Sequence, residues 1–443
     1  MEPVLRRHFL AGLSAAAARP GLINVREQGA AGDGSRLETK ALQQAVEACA
    51  AAGGGVVYFP PGKYLTGTVY LKSSVTLYLE RGALILGSQN LEDYPVTVAQ
   101  YRSYTDNYTE RSLLYGENLE NVGLEGAGTI DGQGAAFKGE YKVRPYMIRM
   151  IGCRNVVVSG VTLKDSPMWV QHYLACENVY LRGLTVTSRV NANNDGIDID
   201  SCERVRISDC DISSGDDAIV LKSTSARVCR RVTITNCVLS TACNALKLGT
   251  ESNGGFEDIA ISNCVVYDTR LAGLALEIVD GGVLDRVQVS GITMNKVGAP
   301  VFVRLGNRAR PFQEKMAKPG VGSLRNVSLS NLHAAGAGKT GCSITGLPGR
   351  LVEHVTLENV RLWFEGGGTR EDARRAAPEL PDKYPEFSMF GVLPAYGFYC
   401  RHARKLTFHN VEVYAPKDEE RLPLVTEDVE DLTVGGSSNL GGA

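Results

Sequence analysis

Apolar and polar residues alternate in short runs along most of the chain, and the runs recur. Val205–Arg206–Ile207–Ser208–Asp209–Cys210 returns as Val232–Thr233–Ile234–Thr235–Asn236–Cys237. It returns again as Ile259–Ala260–Ile261–Ser262–Asn263–Cys264, and then as Val287–Gln288–Val289–Ser290–Gly291. Period-two alternation is the mark of a strand with one buried face, and a repeat length in the twenties marks a solenoid. Positions 183, 210, 237, 264 and 291 set the period at 27. On that period Ile197/Ile199, Ile219/Leu221, Leu246/Leu248, Leu274/Leu276 and Val301/Val303 form apolar columns that should face the interior. The residues between them should face outward. One outward column reads Asp198, Val220, Lys247, Ala275, Phe302, and the next reads Asp200, Lys222, Gly249, Glu277, Arg304.

Strand signals extend the pattern in both directions, from Val56–Phe59 and Val75–Leu79 to Val355–Leu357 and Leu406–Phe408. One helix is predicted before them. Leu42, Ala45, Val46 and Cys49 recur at helical spacing, Thr39 stands where a cap is needed, and Gly53–Gly55 ends the run. Such a helix would cover the open edge of the first coil. Residues 364–395, rich in Gly, Pro and charge, are too long for a turn and read as a loop laid over one face. The expected architecture is all-β: one solenoid over residues 21–435 with three strands per coil and an N-terminal capping helix.

Composition narrows the function classes. A chain of 443 residues could hold two or three domains, but a repeat grows along one axis without separate cores. A net charge of −2 offers no pull toward nucleic acid or an anionic membrane, and no apolar run is long enough to span a bilayer. Residues 1–20 carry Arg6–Arg7 ahead of an apolar run opened by Phe9–Leu10, which reads as a twin-arginine-like export signal and predicts a periplasmic or secreted protein. The eleven cysteines fall largely into two ladders, Cys153/Cys176/Cys202/Cys229 and Cys210/Cys237/Cys264. Stacked Cβ vectors run parallel and do not converge as a disulfide requires, so these are read as small buried hydrophobes.

Asn194–Asp195–Gly196 and Gly215–Asp216–Asp217 sit at matching places on successive coils. That puts the Asp195 and Asp217 backbones one strand spacing apart, about 4.8 Å, with Asp216 beside them. Like charges so close raise one pKa, and a raised acid beside an ionised base is what glycosidic cleavage needs. The residues alone carry the reading to acid–base chemistry in a β-solenoid cleft.

Those two motifs, with Asn24–Val25 to Gly34, Tyr58–Phe59–Pro60–Pro61–Gly62, Ser166–Pro167–Met168–Trp169 and Asp198–Ile199–Asp200–Ser201–Cys202, resemble glycoside hydrolase family 28 from about residue 22 to 430. These are the polygalacturonases and their relatives. The resemblance implies a right-handed parallel β-helix and inverting hydrolysis of O-glycosidic bonds in a pectic or related plant polysaccharide. Asp216 would be the general acid and Asp195 and Asp217 would activate water, with carboxylate separations of about 6.5–9.5 Å. No metal or organic cofactor is implied, and the expected partner of a monomeric protein is a poly- or oligosaccharide.

Two family motifs are replaced. Cys243–Asn244–Ala245 stands where polygalacturonases carry Gly-His-Gly, and Ala275 and Glu277 stand where they carry an Arg-x-Lys pair for the sugar carboxylate. Asn244 can hydrogen-bond but cannot titrate like histidine. Glu277 would repel an acidic sugar unless Arg304, next in its column, neutralises it. Homogalacturonan is therefore expected to be a poor substrate, and rhamnogalacturonan or a less charged glycan fits better. Asn194, Asn244, Lys222, Lys247, Glu277 and Arg304 are the substrate-binding candidates, with Trp169 as a stacking platform and Tyr396, Arg401 and His402 beyond the long loop. Two other readings remain open: pectate-lyase-like elimination with calcium on Asp198 and Asp200, and a non-catalytic glycan-binding solenoid.

Overall fold

The computed structural model describes residues 21–440; the expected export signal at 1–20 lies outside the described residues. From Leu22 to Gly435 the chain winds as strands, and every strand pair along the axis is parallel. Three sheets run the length of this right-handed β-helix. The first holds Gln171–Leu174, Ile197–Asp200, Ile219–Ser223 and Leu246–Ser252, and continues through the last residues of the long strands Phe256–Ile278 and Val283–Leu305. The second holds Glu177–Arg182, Glu203–Ser208 and Cys229–Thr235, and the third Thr185–Ser188, Asp211–Ser214 and Val238–Thr241.

The apolar columns stack as the alternation requires. Ile197, Ile219, Leu246, Leu274 and Val301 pair in register and are all fully buried. Truncating Leu246 to Ala should therefore destabilise the fold by about 2–5 kcal/mol, the cost of lost burial plus a residual cavity. A smaller loss in denaturant unfolding would contradict its place in the column.

The repeat is less regular than a constant 27. Arg182 pairs with Ser208, Ser208 with Thr235, Thr235 with Ser262, and Ser262 with Ser290, giving spacings of 26, 27, 27 and 28. Conformation sets this register. Gly183, Asp209, Asn236, Asn263 and Gly291 form the corner that follows the second sheet, all in the left-handed region with φ between 53° and 68°. Gly, Asn and Asp hold that conformation at least cost. The buried Cys210, Cys237 and Cys264 come one residue after it. All eleven cysteines are free thiols, and ten of them are buried.

The capping helix α1, Thr39–Ala51, buries Leu42, Ala45, Val46 and Cys49. Its N-cap is Glu38 and not Thr39. The Thr39 hydroxyl is spent on the first coil, where it accepts the Gly67 N–H at 2.8 Å.

Between the strands ending at Phe364 and starting at Ala395, the long segment forms one short helix, Arg370–Arg374. It lies over the outer face of the late first sheet, where Phe390 and Leu393 pack on Ala272, Ala275, Phe302 and Tyr399. That cover buries residues the alternation alone would have left outward.

Candidate active site

Asp195, Asp217 and Asn244 occupy equivalent places where a turn enters the first sheet. The Gly196 N–H donates to the Asp217 carbonyl and the Ala218 N–H to the Asn244 carbonyl, each at 2.9 Å. The two aspartates are therefore one strand apart and each only 3% exposed, while Asp216 reaches solvent in part.

Their surroundings separate their acidities. Burial acts to raise Asp217, but Lys247 at 3.1 Å, Lys222, and two hydrogen bonds from Asn244 hold it below the usual carboxylate range. Asp216 is pushed up by burial and by the charge of Asp217. Asp195 is pushed well up by burial and then by Asp216 and Asp198, with Lys222 at 3.7 Å only partly opposing. The acidities of neighbouring carboxyls are thus pushed in opposite directions, the arrangement acid–base cleavage uses.

Two buried lysines back this trio. Lys222 Nζ lies 3.4 Å from Asp198 and 3.6 Å from Glu251, and sits 4.6 Å from the centre of the Trp169 ring. Despite its burial, Glu251 is held below its ordinary pKa by Lys222, Arg310 and Arg308. It comes into place because the strand Leu246–Ser252 carries two extra residues between the pairs Leu221/Leu248 and Ser223/Ser252. Lys247 touches Asp217, Glu277 at 4.0 Å and the Tyr384 hydroxyl at 3.4 Å.

Several candidates have other duties. Glu277 is 1% exposed and burial pushes it up to about 8, so at neutral pH it is mostly an uncharged acid and the expected repulsion of an acidic sugar does not arise from it. Arg304 does not neutralise Glu277: its guanidinium donates to the Glu379 and Leu380 carbonyls at 2.7 and 3.2 Å. Arg401 likewise donates to the Ala377 and Pro378 carbonyls, and His402 lies between Asp428 and Glu379. These three residues fasten the long segment to the β-helix, away from the aspartates. Tyr396 bonds the Val413 carbonyl and meets Phe364 edge-on. Asn194 is fully buried and braces its turn, donating to the Ser166 and Met168 carbonyls and accepting the Asn191 N–H. Trp169, 4% exposed, packs against Tyr108, Tyr146 and His172 and is not an open platform. Asn244 serves Asp217 and, through its Oδ1, the Ala272 N–H.

Sequence reasoning missed Glu251, Arg308, Arg310, Tyr384 and Tyr141. Tyr141 is 37% exposed, and the charges of Asp195 and Asp216 raise its phenol after burial does. Glu251 comes from the bulged end of the strand Leu246–Ser252 and the others from connecting segments, where no periodicity reports direction. The calcium reading fails on Asp198 and Asp200. Both are fully buried, and Asp200 is occupied by His172, Ser201 and Thr224 while Asp198 faces Lys222. A recess of about 950 Å³ lies outside the second sheet along Arg206, Thr233, Ala260 and Gln288, but its one carboxylate, Asp258, is paired with Arg286. The cluster of buried carboxylates and lysines borders the first sheet.

The family model for glycosyl hydrolases family 28 matches residues 80–377, about two thirds of the chain. The chain belongs to that family. A probable polygalacturonase of Vitis vinifera is 40% identical over 210 residues, 44% of this chain and 43% of its own length. An exo-poly-alpha-D-galacturonosidase of Dickeya chrysanthemi is 28% identical over 254 residues, 45% of this chain and 42% of its own. The chain thus spans under half the length of these relatives. Among solved structures, the Yersinia enterocolitica family 28 exopolygalacturonase superposes with TM-score 0.73 at 21% identity, over 94% of this chain and 78% of that one. The Thermotoga maritima exopolygalacturonase superposes with TM-score 0.68 at 24% identity, over 79% and 88%. Both share the fold.

Proposed function

We propose that this family 28 protein hydrolyses an O-glycosidic bond of a pectic or related glycan with inversion at the anomeric carbon. One observation carries the reading: Asp216 is raised and partly exposed, while its neighbour Asp217 is buried and kept ionised by Lys247. Asp216 protonates the leaving oxygen and Asp217 takes a proton from water. Asp195 Oδ1, which has no hydrogen-bond partner among the described residues, helps hold that water. This gives Asp217 a larger share of the water activation that the family resemblance assigns to Asp195 and Asp217 together. The nearest Asp216 and Asp217 oxygens lie within 4.8 Å, closer than the expected separation of about 6.5–9.5 Å. The two carboxyl groups converge here, so the water is placed beside the pair, toward Asp195.

The substrate we favour presents a neutral or deoxy sugar where polygalacturonases bind a carboxylate. Ala275 lies under Phe390 in an apolar cluster, Glu277 is buried, and Lys222 and Lys247 are committed to protein carboxylates. Weak hydrolysis of unbranched polygalacturonate and faster hydrolysis of rhamnogalacturonan or less charged pectic oligosaccharides are expected in product analysis. Robust turnover of unbranched polygalacturonate would sink this assignment. The Arg6–Arg7 segment supports export, checked by cell fractionation; a monomer whose residues 21–435 act as one domain is the expected result in light scattering.

A further inference from the structure

The outer face of the second sheet takes no part in the cluster on the first, yet it is hollow. Tyr180, Arg206, Thr233, Ala260, Gln288 and Ser328 stand in register in one outward column. Beyond Arg206 these side chains are short apart from Gln288. Arg204, Arg231 and Arg286, held in the left-handed conformation near the start of their strands, line the recess of about 950 Å³ above them. A second recess of about 480 Å³ continues past Arg206 along Tyr180, Arg182 and Val157.

Charge along this channel is unbalanced. Its lining holds Arg182, Arg204, Arg206, Arg231 and Arg286 against the carboxylate of Asp258. Behind the lining, Glu203 is shared by Arg204, Arg230 and Arg231 at 3.0, 2.9 and 2.6 Å. Arg286 is matched by Glu257, Asp258 and Asp285, so the surplus gathers at the other end. There Arg182 and Arg206 are exposed, and neither has an ion-pair partner among the described residues. Tyr180 lies between them: Arg182 leaves the same strand face two residues on, and the Arg206 guanidinium sits 4.9 Å from the ring centre. The Tyr180 ring is still 42% exposed.

We propose that this channel is a second glycan site, outside the catalytic cleft, which holds a stretch of uronic-acid polysaccharide by its carboxylates. A sugar ring lays its apolar face on Tyr180, and its carboxylate meets the forked donors of Arg182 or Arg206. Single-stranded nucleic acid would need neighbouring rings on which successive bases stack. The lining offers Tyr180 and, six strands along, His354, which are roughly 29 Å apart. In the cleft Lys222 and Lys247 are committed to protein carboxylates, so the free cations for an acidic stretch are on the second sheet. Holding a chain there requires no cleavage, and the site stands or falls apart from the hydrolytic reading.

Affinity electrophoresis of the full-length Asp216→Asn protein tests this in gels holding polygalacturonate, with mobility taken against a gel without polymer. The protein should be retarded by polygalacturonate and not by neutral galactan. Salt at about 0.5 M, which shortens the screening length below about 8 Å, should remove the retardation. Adding Arg182→Glu and Arg206→Glu should weaken the dissociation constant at least about tenfold, since two exposed charge contacts are lost and reversed. Arg206→Gln alone, which removes one exposed charge, should weaken it about threefold and is the variant read if the double change lowers the urea midpoint. Unchanged retardation in these variants overturns the site. Equal retardation by single-stranded DNA marks a general polyanion surface and overturns the uronate assignment. If retardation behaves as expected but the wild type cleaves no glycan, the site stands and the functional reading fails. Cleavage without retardation leaves the functional reading and removes the site.

Discussion

Asp216→Asn is expected to lower kcat by about 10²–10⁴-fold, because asparagine keeps the shape of the acid but cannot hand a proton to the leaving oxygen. The structure makes this a specific loss. Asp216 is the member of the trio that is both shifted upward and partly exposed, so it is the one able to be protonated and to reach a substrate. The effect should shrink on an activated aryl glycoside, whose leaving group needs less protonation. Following the first-formed anomer by proton NMR on the wild type checks the stereochemistry, and retention would refute the inverting route. A loss below tenfold on natural substrate would remove Asp216 from the acid role.

Lys247→Met should strike both catalysis and stability. Lys247 is the largest favourable influence on ionised Asp217, and without it burial acts with less opposition, leaving only Lys222 and the Asn244 hydrogen bonds. The folded pKa of Asp217 then rises, so the acidic limb of the kcat/KM profile moves to higher pH, and the greatest loss falls at low pH. Stability follows the same sign. A depressed folded pKa contributes stability above the unfolded value near 3.9, and this is lost as pH falls through the folded value. Removing the ammonium removes that contribution and leaves a buried carboxylate without its nearest cation, a change of up to about 3–5 kcal/mol in urea unfolding at neutral pH. An unmoved acidic limb would show that Asp217 does not owe its ionisation to Lys247. Together with a normal unfolding midpoint, it would remove the ion pair from the account.

The first sheet shows how far alternation carries an argument. Asp198, Lys247 and Ala275 were assignable to one outward column because side chains in a strand alternate strictly, and the paired register agrees. Outward did not mean exposed. Lys247 is 3% exposed and Arg304 1%, because the long segment and neighbouring turns lie over them. Arg304 was placed in the correct column yet given the wrong partner, since the Glu379 and Leu380 carbonyls are 75 and 76 residues away in sequence. The slip in the repeat has a similar origin. Cysteine spacing suggested a constant period, whereas the left-handed corner residue, Gly, Asp or Asn by turns, is what each coil keeps.

The sequence by itself determined the β-solenoid, its inward columns, the capping helix and the adjacency of Asp195 and Asp217. Each of these follows from short-range periodicity, and a parallel coil converts repeat distance directly into spatial neighbours. Tertiary structure alone decided which carboxyl holds a proton, which lysine serves which acid, and what the arginines of the late coils do. Those outcomes depend on burial and on charges brought together from distant turns. Tyr384 meets Lys247 across 137 residues, and Arg310 meets Glu251 from another turn. Over such separations no local pattern carries the information, and the acidity of each group is set by the whole packed environment.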